Sequence, residues 1–183
     1  MIDFIEFQKI PRLARECIVT EKIDGTNGVI YIGEDGEMLA GSRSRWITPT
    51  EDNYGFAKWV DANKVELMKL GPGRHYGEWW GQGIQRNYSL TEKRFSLFNV
   101  SRWSDDAVRP ACCHVVPVIG RDLFDAPALG LKALKKLKEE GSVAAPGFMK
   151  PEGIIIFHVA ANHLFKKTIE KDEEYKGKQA KVA

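Results

Sequence analysis

Between two apolar runs of this 183-residue chain stands the segment Glu21-Lys22-Ile23-Asp24-Gly25-Thr26-Asn27. The segment places a lysine at the end of an apolar stretch, beside a carboxylate and a glycine that allows a turn. A lysine is protonated near neutral pH, and it becomes a nucleophile where burial or neighbouring positive charge lowers its pKa. Lys22 is therefore a candidate nucleophile. For so short a motif alone, a solvated lysine at a strand end is the more common explanation.

The composition describes a globular protein with a small net charge. Hydrophobic residues make up 43% of the chain and aromatic residues 10%, which excludes a disordered protein. The formal net charge of +2 excludes a uniformly basic, histone-like binder, but the 27 lysines and arginines leave room for a local basic groove. The length suits one domain, which we assign to residues 1–183.

The cysteines and the N-terminus indicate a cellular compartment. Cys17, Cys112 and Cys113 form no CxxC pair, so we expect no zinc site. An odd number of cysteines without a disulfide pattern is typical of a reduced, intracellular protein. The N-terminus has no long apolar stretch, so we expect neither a signal peptide nor a membrane span.

Apolar patterns predict more strands than helices. Strands are predicted at residues 17–23, 29–32, 38–40, 76–80, 95–100, 115–119, 153–159 and 164–169, and helices at 53–70 and 129–140. The charged residues 170–183 are predicted to be a frayed end or a final helix. This pattern is typical of an α+β fold with mostly antiparallel sheets flanked by helices.

Several side chains along the chain suit a complex of a nucleotide with a metal ion. Carboxylates are the ligands that Mg²⁺ and Mn²⁺ prefer, and the candidates are Asp24, Glu78 and Glu152. Cations suited to phosphate and ribose are Arg43, Lys166 and Lys167. Phe98 offers a flat face to a base. Each of these residues taken alone could equally belong to a solvated surface or to the core.

Taken in order, these segments resemble the motifs of the covalent nucleotidyltransferases, which include polynucleotide ligases and mRNA capping enzymes. The matching residues are 21–27 (motif I), 42–45 (Ia), 76–80 (III), 95–100 (IIIa), 152–156 (IV) and 165–168 (V). Each motif is weak alone, but six in order form a strong signal. The resemblance implies a nucleotidyltransferase (ATP-grasp-like) domain with the nucleotide pocket between its sheets.

Within this superfamily, Glu21 and Asn27 resemble the nick-sealing RNA ligases, of a type found in phages and bacteria. The resemblance implies an ATP-dependent RNA ligase in the cytoplasm of a bacterial cell or a phage-infected host. Such an enzyme joins 5′-phosphate and 3′-hydroxyl RNA ends through lysyl-AMP and adenylated RNA. The alternatives are a 5′-end adenylating or DNA-joining nucleotidyltransferase, and a nucleotide-binding module without turnover.

The resemblance also implies a role for each matching residue. Lys22 would carry AMP, and Lys166 and Lys167 would serve the α-phosphate, without a decision on which lysine takes which contact. Glu21 would read the adenine, and Phe98 would stack on it. The full nucleotide-binding set is Glu21, Ile23, Asn27, Arg43, Glu78, Phe98, Glu152, Lys166 and Lys167, and the metal ligands are Asp24, Glu78 and Glu152.

Almost nothing follows motif V, whereas related ligases carry an OB-fold or a helical domain there. We therefore expect the chain to be a catalytic domain without either module. RNA binding would then depend on a protein partner or on basic residues of the catalytic face, namely Arg74, Arg86, Lys93 and Arg94.

Overall fold

The computed structural model describes residues 2–7, 9–124 and 126–170. The strands in this part are β1 (Glu16–Lys22), β2 (Thr26–Ile32), β3 (Met38–Gly41), β4 (Trp46–Ile47), β5 (Gly73–Gly81), β6 (Lys93–Leu97), β7 (His114–Val115), β8 (Val118–Leu123), β9 (Gly153–His158) and β10 (His163–Thr168). The helices are α1 (Phe56–Ala62), α2 (Lys64–Leu67), α3 (Val100–Trp103) and α4 (Ala126–Glu140), and a 3₁₀ turn covers Met68–Leu70.

The strands form two sheets. The smaller sheet has the order β10-β9-β1-β8, and the larger has the order β4-β3-β2-β5-β6-β7. Neighbouring strands are antiparallel, except for the parallel pair of β6 and β7. The expected α+β fold of mostly antiparallel sheets is confirmed. None of the helices in the described ranges is both long and apolar enough to cross a membrane.

The helix predicted at 53–70 is instead three short pieces. The break is at Asn63, whose backbone (φ −109°, ψ 13°) is not helical. The Asn63 side chain donates to the Trp59 carbonyl oxygen at 2.8 Å, a local bond that competes with helix continuation. Beyond the break Val65 is 89% exposed, so it does not belong to the apolar face that its spacing predicted.

Two predicted strands also have different boundaries. The strand predicted at 95–100 ends at Leu97, because the Asn99 side chain accepts a bond from the Arg102 backbone N–H and begins α3. The strand predicted at 115–119 is divided between β7 and β8, which lie in different sheets. Pro117, which has no backbone N–H, stands between them. The prediction for the C-terminal tail lies, from residue 171 onward, outside the described residues.

Three groups of buried side chains hold these layers together. The larger sheet packs one face on α1 through aromatic residues that include Phe56, Trp79 and Phe95. The smaller sheet packs on α4. A third group joins the two sheets, and it includes Ile18, Ile23, Trp80, Tyr88 and Ala145. The residues between β1 and β2 therefore cross from one sheet to the other beside this third group.

Candidate active site

Lys22 lies at the point where the chain leaves the smaller sheet. It is the last residue of β1, and it pairs in register with Gly153 at the start of β9. This pairing brings Glu152, which precedes Gly153, beside the lysine. The Lys22 Nζ atom is 2.5 Å from the Glu152 Oε2 atom, and the two side chains are only 23% and 17% exposed. Residues far apart in sequence thus form a half-buried ion pair.

The Glu152 carboxylate has an unusual environment. Its Oε2 atom is buried and accepts no hydrogen bond of acceptable geometry from any described residue, although the Lys22 ammonium group is close. We therefore regard the contact as an attraction between charges and not as a directional hydrogen bond. A buried carboxylate oxygen without a donor is costly in a protein, and it fits a site for a divalent cation.

Glu78 holds the turn after Lys22. Its Oε1 atom accepts from the Gly25 backbone N–H at 3.0 Å, and its Oε2 atom accepts from the Asn27 side chain at 3.1 Å. Burial raises the pKa of Glu78 to about 7. The Gly25 N–H and the Lys22 charge oppose this rise in pKa, whereas Glu152 and Asp24 add to it. Lys22, Asp24 and Glu152 therefore all lie within electrostatic reach of Glu78.

Asp24 is held from two sides. Its backbone N–H donates to the Tyr88 hydroxyl oxygen at 2.7 Å, and its carboxylate accepts from Arg86 Nε at 2.9 Å. Burial raises the pKa of the Tyr88 phenol, so Tyr88 stays neutral in this position. Arg86 also donates to the Lys150 carbonyl oxygen at 3.2 Å. Arg86 was expected to contact RNA, but here it anchors the turn.

The three carboxylates predicted as metal ligands therefore have different surroundings. Glu78 and Asp24 accept hydrogen bonds from the protein, whereas Glu152 has the one buried carboxylate oxygen without a hydrogen-bond donor among the described residues. Within the described ranges no three acidic, histidine or cysteine side chains gather as a metal cluster. Glu152 is thus the residue that best fits a cation, and the contribution of the other two stays a prediction.

Gly25 is required by the closeness of the larger sheet. A Cβ atom at this position would lie 2.4 Å from the Trp79 carbonyl oxygen and 2.7 Å from the Trp80 Cβ atom. Both neighbours belong to β5, so neither can move away cheaply. The glycine in the turn therefore allows β1 to end tightly against the strand that carries Glu78.

The Glu21 side chain lies on the opposite face of the smaller sheet from the Lys22 side chain. Successive residues of a strand face opposite sides of the sheet, so Glu21 shares the α4 side and Lys22 the other. The buried Glu21 carboxylate accepts from Ser142 Oγ at 2.6 Å and from the backbone N–H groups of Val143 and Ala144 at 2.7 and 2.8 Å. Burial raises its pKa, and these bonds oppose the rise. The expected contact of this carboxylate with adenine does not fit its position, because the side chain instead fastens the loop after α4.

The strand register separates Lys166 from Lys167. Lys166 lies opposite Ile155, and Ile155 lies opposite Thr20, so Lys166 shares the face of Lys22. Lys167 lies in the row of Ile154 and Glu21, on the α4 side, where it lines a groove of about 430 Å³ between α4 and β10. The expectation that both lysines serve one phosphate does not fit this arrangement. The register favours Lys166.

Three other predicted nucleotide ligands occupy different settings. Phe98 follows β6 and is 42% exposed, which suits a stacking surface better than a core position. Ile23 is buried in the group between the sheets, so its side chain faces the core. Arg43 is exposed in a turn closed by the bond from the Ser42 N–H to the Arg45 carbonyl oxygen at 2.8 Å. That segment is therefore a turn and not an extended strand.

The remaining basic residues predicted to form an RNA groove are dispersed. Lys93 donates to the Tyr54 carbonyl oxygen at 2.8 Å. Arg94 pairs with Glu92 and lies 5.9 Å from the centre of the Trp80 ring. Arg74 is exposed and lies 5.1 Å from the centre of the Tyr31 ring. Among Arg74, Arg86, Lys93 and Arg94, we regard Arg74 as the best candidate for RNA contact. It is exposed on the open face of the larger sheet.

Tyr88 and Ser142 were not among the predicted site residues. Each acts through one hydrogen bond to the segment around Lys22, at separations of 64 residues for Tyr88 and 121 for Ser142. Neither residue stands in a recognisable motif. Contacts of this kind depend on tertiary packing, so no periodicity or spacing in the sequence could have identified them.

The chain is similar to known RNA ligases in sequence and in structure. A family model described as RNA ligase matches residues 15–168. A structure of a Naegleria gruberi RNA ligase mutant with ATP and Mn is similar, with a TM-score of 0.59 and 18% identity over 84% of this chain and 48% of that chain. Another mutant with ATP and Mn gives a TM-score of 0.65 and 20% identity, covering 90% and 53%. The ligase with PPi gives 0.62 and 19%, covering 92% and 57%. The chain spans about half the length of these structures.

Proposed function

Because the chain belongs to the RNA ligase family, we propose that it is an ATP-dependent RNA ligase that joins 5′-phosphate and 3′-hydroxyl ends. The observation that carries this proposal is the half-buried Lys22, held 2.5 Å from Glu152 at the end of β1. A half-buried lysine beside a carboxylate, with Lys166 on the same sheet face, is suited to a nucleotide phosphate.

In the first step Lys22 becomes adenylated. Its ammonium group loses a proton to water, and the amine attacks the α-phosphorus of ATP. A P–N bond forms, the bond from the α-phosphorus to the bridging oxygen breaks, and pyrophosphate leaves. Lys166 lies on the side of the sheet where it can offset the negative charge of the phosphates. Glu78 and Tyr88 hold the turn so that Lys22 keeps its position.

In the later steps AMP is transferred from Lys22 to the 5′-phosphate of RNA and is then released. The 5′-phosphate of an RNA strand attacks the phosphorus of lysyl-AMP, and the Lys22 amine leaves and regains a proton. The 3′-hydroxyl of a second strand then attacks the RNA phosphate, a phosphodiester bond forms, and AMP leaves. The protein contributes position and charge to these steps, as in other phosphoryl transfers.

We propose ATP and Mg²⁺ or Mn²⁺ as cofactors. The solved Naegleria gruberi ligases contain ATP and Mn, which supports this choice. Glu152, with its buried oxygen that lacks a donor, would hold the cation, together with Asp24 and Glu78 if they exchange their protein partners. When bound, the cation neutralises the triphosphate. The exposed face of Phe98 would stack on the adenine, and Asn27 and Arg43 would lie near the ribose.

The finer assignments are also proposals. We place the protein in the cytoplasm of a bacterial cell or a phage-infected host, as the resemblance of Glu21 and Asn27 to that ligase branch implies. We treat residues 1–183 as one adenylyltransferase domain, with a protein partner as a further source of RNA-binding surface.

An assay of joining tests the proposal. The chain is incubated with ATP, Mg²⁺ and RNA strands that carry a 5′-phosphate and a 3′-hydroxyl, and the products are separated on a denaturing gel. We expect adenylated RNA followed by joined RNA, with no product from GTP or from RNA with a 5′-hydroxyl. Products that stop at adenylated RNA would indicate a 5′-end adenylating enzyme, and preference for DNA strands would indicate a DNA-joining enzyme. Nucleotide binding without any covalent product would overturn the proposal.

A further inference from the structure

A row of apolar and aromatic residues crosses the open face of the larger sheet. Trp46 lies opposite Gly41, Gly41 opposite Val29, and Val29 opposite Tyr76, while the Phe98 N–H donates to the Tyr76 carbonyl oxygen at 2.9 Å. We call these five residues the aromatic row. Neighbouring strands are about 4.8 Å apart, so the row extends over about 19 Å.

The aromatic members of the row are exposed. Trp46 is 45% exposed, Tyr76 55% and Phe98 42%. The opposite face of the same sheet packs on α1 and is buried. These three rings therefore do not belong to the core that stabilises the sheet, and together they form an apolar surface open to solvent.

The sheet is shaped to hold Trp46 flat. A Cβ atom at Gly41 would lie 2.6 Å from Val29 Cγ1 and 2.9 Å from Trp46 Cε3. The absence of a side chain at Gly41 thus lets the indole ring lie directly over the backbone. Tyr31 lies beside it, with ring centres 6.2 Å apart. Two adjacent aromatic rings, inclined by 53° to each other, therefore lie at this edge of the sheet.

Positive charge accompanies these rings. Arg74 lies opposite Tyr31 in register and 5.1 Å from the centre of its ring, and Arg43 is exposed in the turn that leads to Trp46. The acidic turn between β2 and β3, which contains Glu34, Asp35 and Glu37, lies beyond Tyr31 at the end of the hairpin. It bounds the surface on that side, so a polyanion would follow the row across the strands.

The aromatic row is continuous with the candidate active site. Asn27 lies opposite Glu78 on the same sheet face, two residues along their strands from Val29 and Tyr76. The row ends at Phe98, the residue proposed to stack on adenine. A chain that lies on the row would therefore bring its end toward the nucleotide and Lys22.

We propose that the aromatic row binds an unpaired RNA strand, with bases stacked on Trp46 and Tyr76 and a phosphate near Arg74. This inference rests on the proposed function, and it adds that the enzyme takes a single-stranded end. Exposed aromatic rings stack on the faces of unpaired bases, whereas a duplex hides those faces within its own stack. At about 3.4 Å per stacked nucleotide, a row of about 19 Å accommodates about five to six nucleotides.

The test compares Trp46→Leu, Trp46→Phe and the control Phe165→Leu. Phe165 is 46% exposed, but it lies on β10 of the smaller sheet. Binding of an unstructured, fluorescently labelled RNA of about twelve nucleotides is followed by anisotropy. We expect Trp46→Leu to weaken binding by about 5- to 30-fold, because it keeps apolar bulk and loses the ring. Trp46→Phe and Phe165→Leu should stay within about threefold of the wild type.

Two further measurements separate this inference from the proposed function. Self-adenylation with labelled ATP should be equal in the wild type and Trp46→Leu, since Trp46 lies on the edge strand of the larger sheet and Lys22 lies on the smaller sheet. Arg74→Gln should reduce the slope of log affinity against log salt by about 0.7. Unchanged RNA affinity in Trp46→Leu, or a loss confined to nicked duplex RNA, would overturn the assignment. If the wild type fails to adenylate while Trp46→Leu still loses RNA, the proposed function fails and the RNA surface stands.

Discussion

At the scale of single residues, the turn after Lys22 is held by partners from distant parts of the chain. Glu78 binds the Gly25 N–H, and Tyr88 binds the Asp24 N–H. These bonds connect the end of β1 to β5 and to the loop after it. Because the nucleophile must meet phosphorus in a narrow range of positions, a rigid turn favours the reaction.

The buried Glu78 carboxyl makes the stability of the protein depend on pH. Burial raises its pKa from 4.5 to about 7, so the folded protein binds this proton more tightly than the unfolded chain does. The stability that Glu78 contributes is therefore fully present below about pH 4.5 and is lost as the pH rises through about 7. Glu78→Gln keeps an acceptor for the Gly25 N–H and cannot ionise.

We expect the free energy of unfolding of the wild type, relative to that of Glu78→Gln, to fall between pH 5 and pH 8. A rise in the Glu78 pKa from 4.5 to about 7 changes the free energy of unfolding by at most about 3 kcal/mol. Urea unfolding of both proteins across this range measures the difference, and the variant cancels contributions from other groups. Parallel pH dependence in the two proteins would show that the Glu78 carboxyl does not titrate as described.

At the scale of elements, the register of three strands decides which side chains lie on the same sheet face as Lys22. β1, β9 and β10 are paired so that Lys22, Gly153 and Thr168 form one row. Gly153 has no side chain, so Thr168 and Lys22 face the same space across it. The next row on this face contains Thr20, Ile155 and Lys166. A shift by one residue would exchange Lys166 with Lys167.

The register predicts different effects for the two adjacent lysines. Lys166→Ala should slow self-adenylation at least about tenfold, since it removes a cation from the sheet face that carries Lys22. Lys167→Ala should change the rate by less than about threefold, because its side chain lies toward α4. Rates of label transfer from ATP at saturating Mg²⁺ measure both. A larger effect from Lys167→Ala would contradict the strand register.

The loop between α4 and β9 provides a prediction about stability. Glu21→Ala would leave the Ser142 hydroxyl and the N–H groups of Val143 and Ala144 without their acceptor, and each lost partner in a buried site costs about 1–3 kcal/mol. Ser142→Ala is the matched control, and it removes one donor to Glu21 and the acceptor of the Ala145 N–H. We expect Glu21→Ala to lower the free energy of unfolding by at least about 2 kcal/mol more than Ser142→Ala does. Equal losses in urea unfolding would contradict this role of Glu21.

The sequence predicted elements better than it predicted the connections between them. The strand that ends in Lys22, the β2–β3 hairpin and the helix α4 follow from local patterns of apolar and turn residues, and the structure confirms them. The break at Asn63 and the division at Pro117 depend on one local bond and one missing N–H. The direction of the Glu21 carboxylate was missed because it depends on which sheet face carries α4.

At the scale of the whole molecule, each of the two sheets carries a different part of the candidate active site. The smaller sheet carries Lys22 and Lys166, and the larger carries Glu78, with Phe98 directly after one of its strands. They meet at the buried group around Trp80 and Tyr88. Farther along the same face of the larger sheet the exposed aromatic row begins. Since the net charge is only +2, the RNA binding that we propose would come from the placement of a few cations and rings.

Lys22 is the residue that we propose to carry AMP. The direct measurement is incubation of the chain with α-labelled ATP and Mg²⁺, followed by a denaturing gel and by mass spectrometry of the peptide that contains the label. We expect one AMP on Lys22, and no labelling of Lys22→Arg, which keeps the charge beside Glu152 but cannot act as a nucleophile. Label on another residue, or undiminished labelling of Lys22→Arg, would contradict the account.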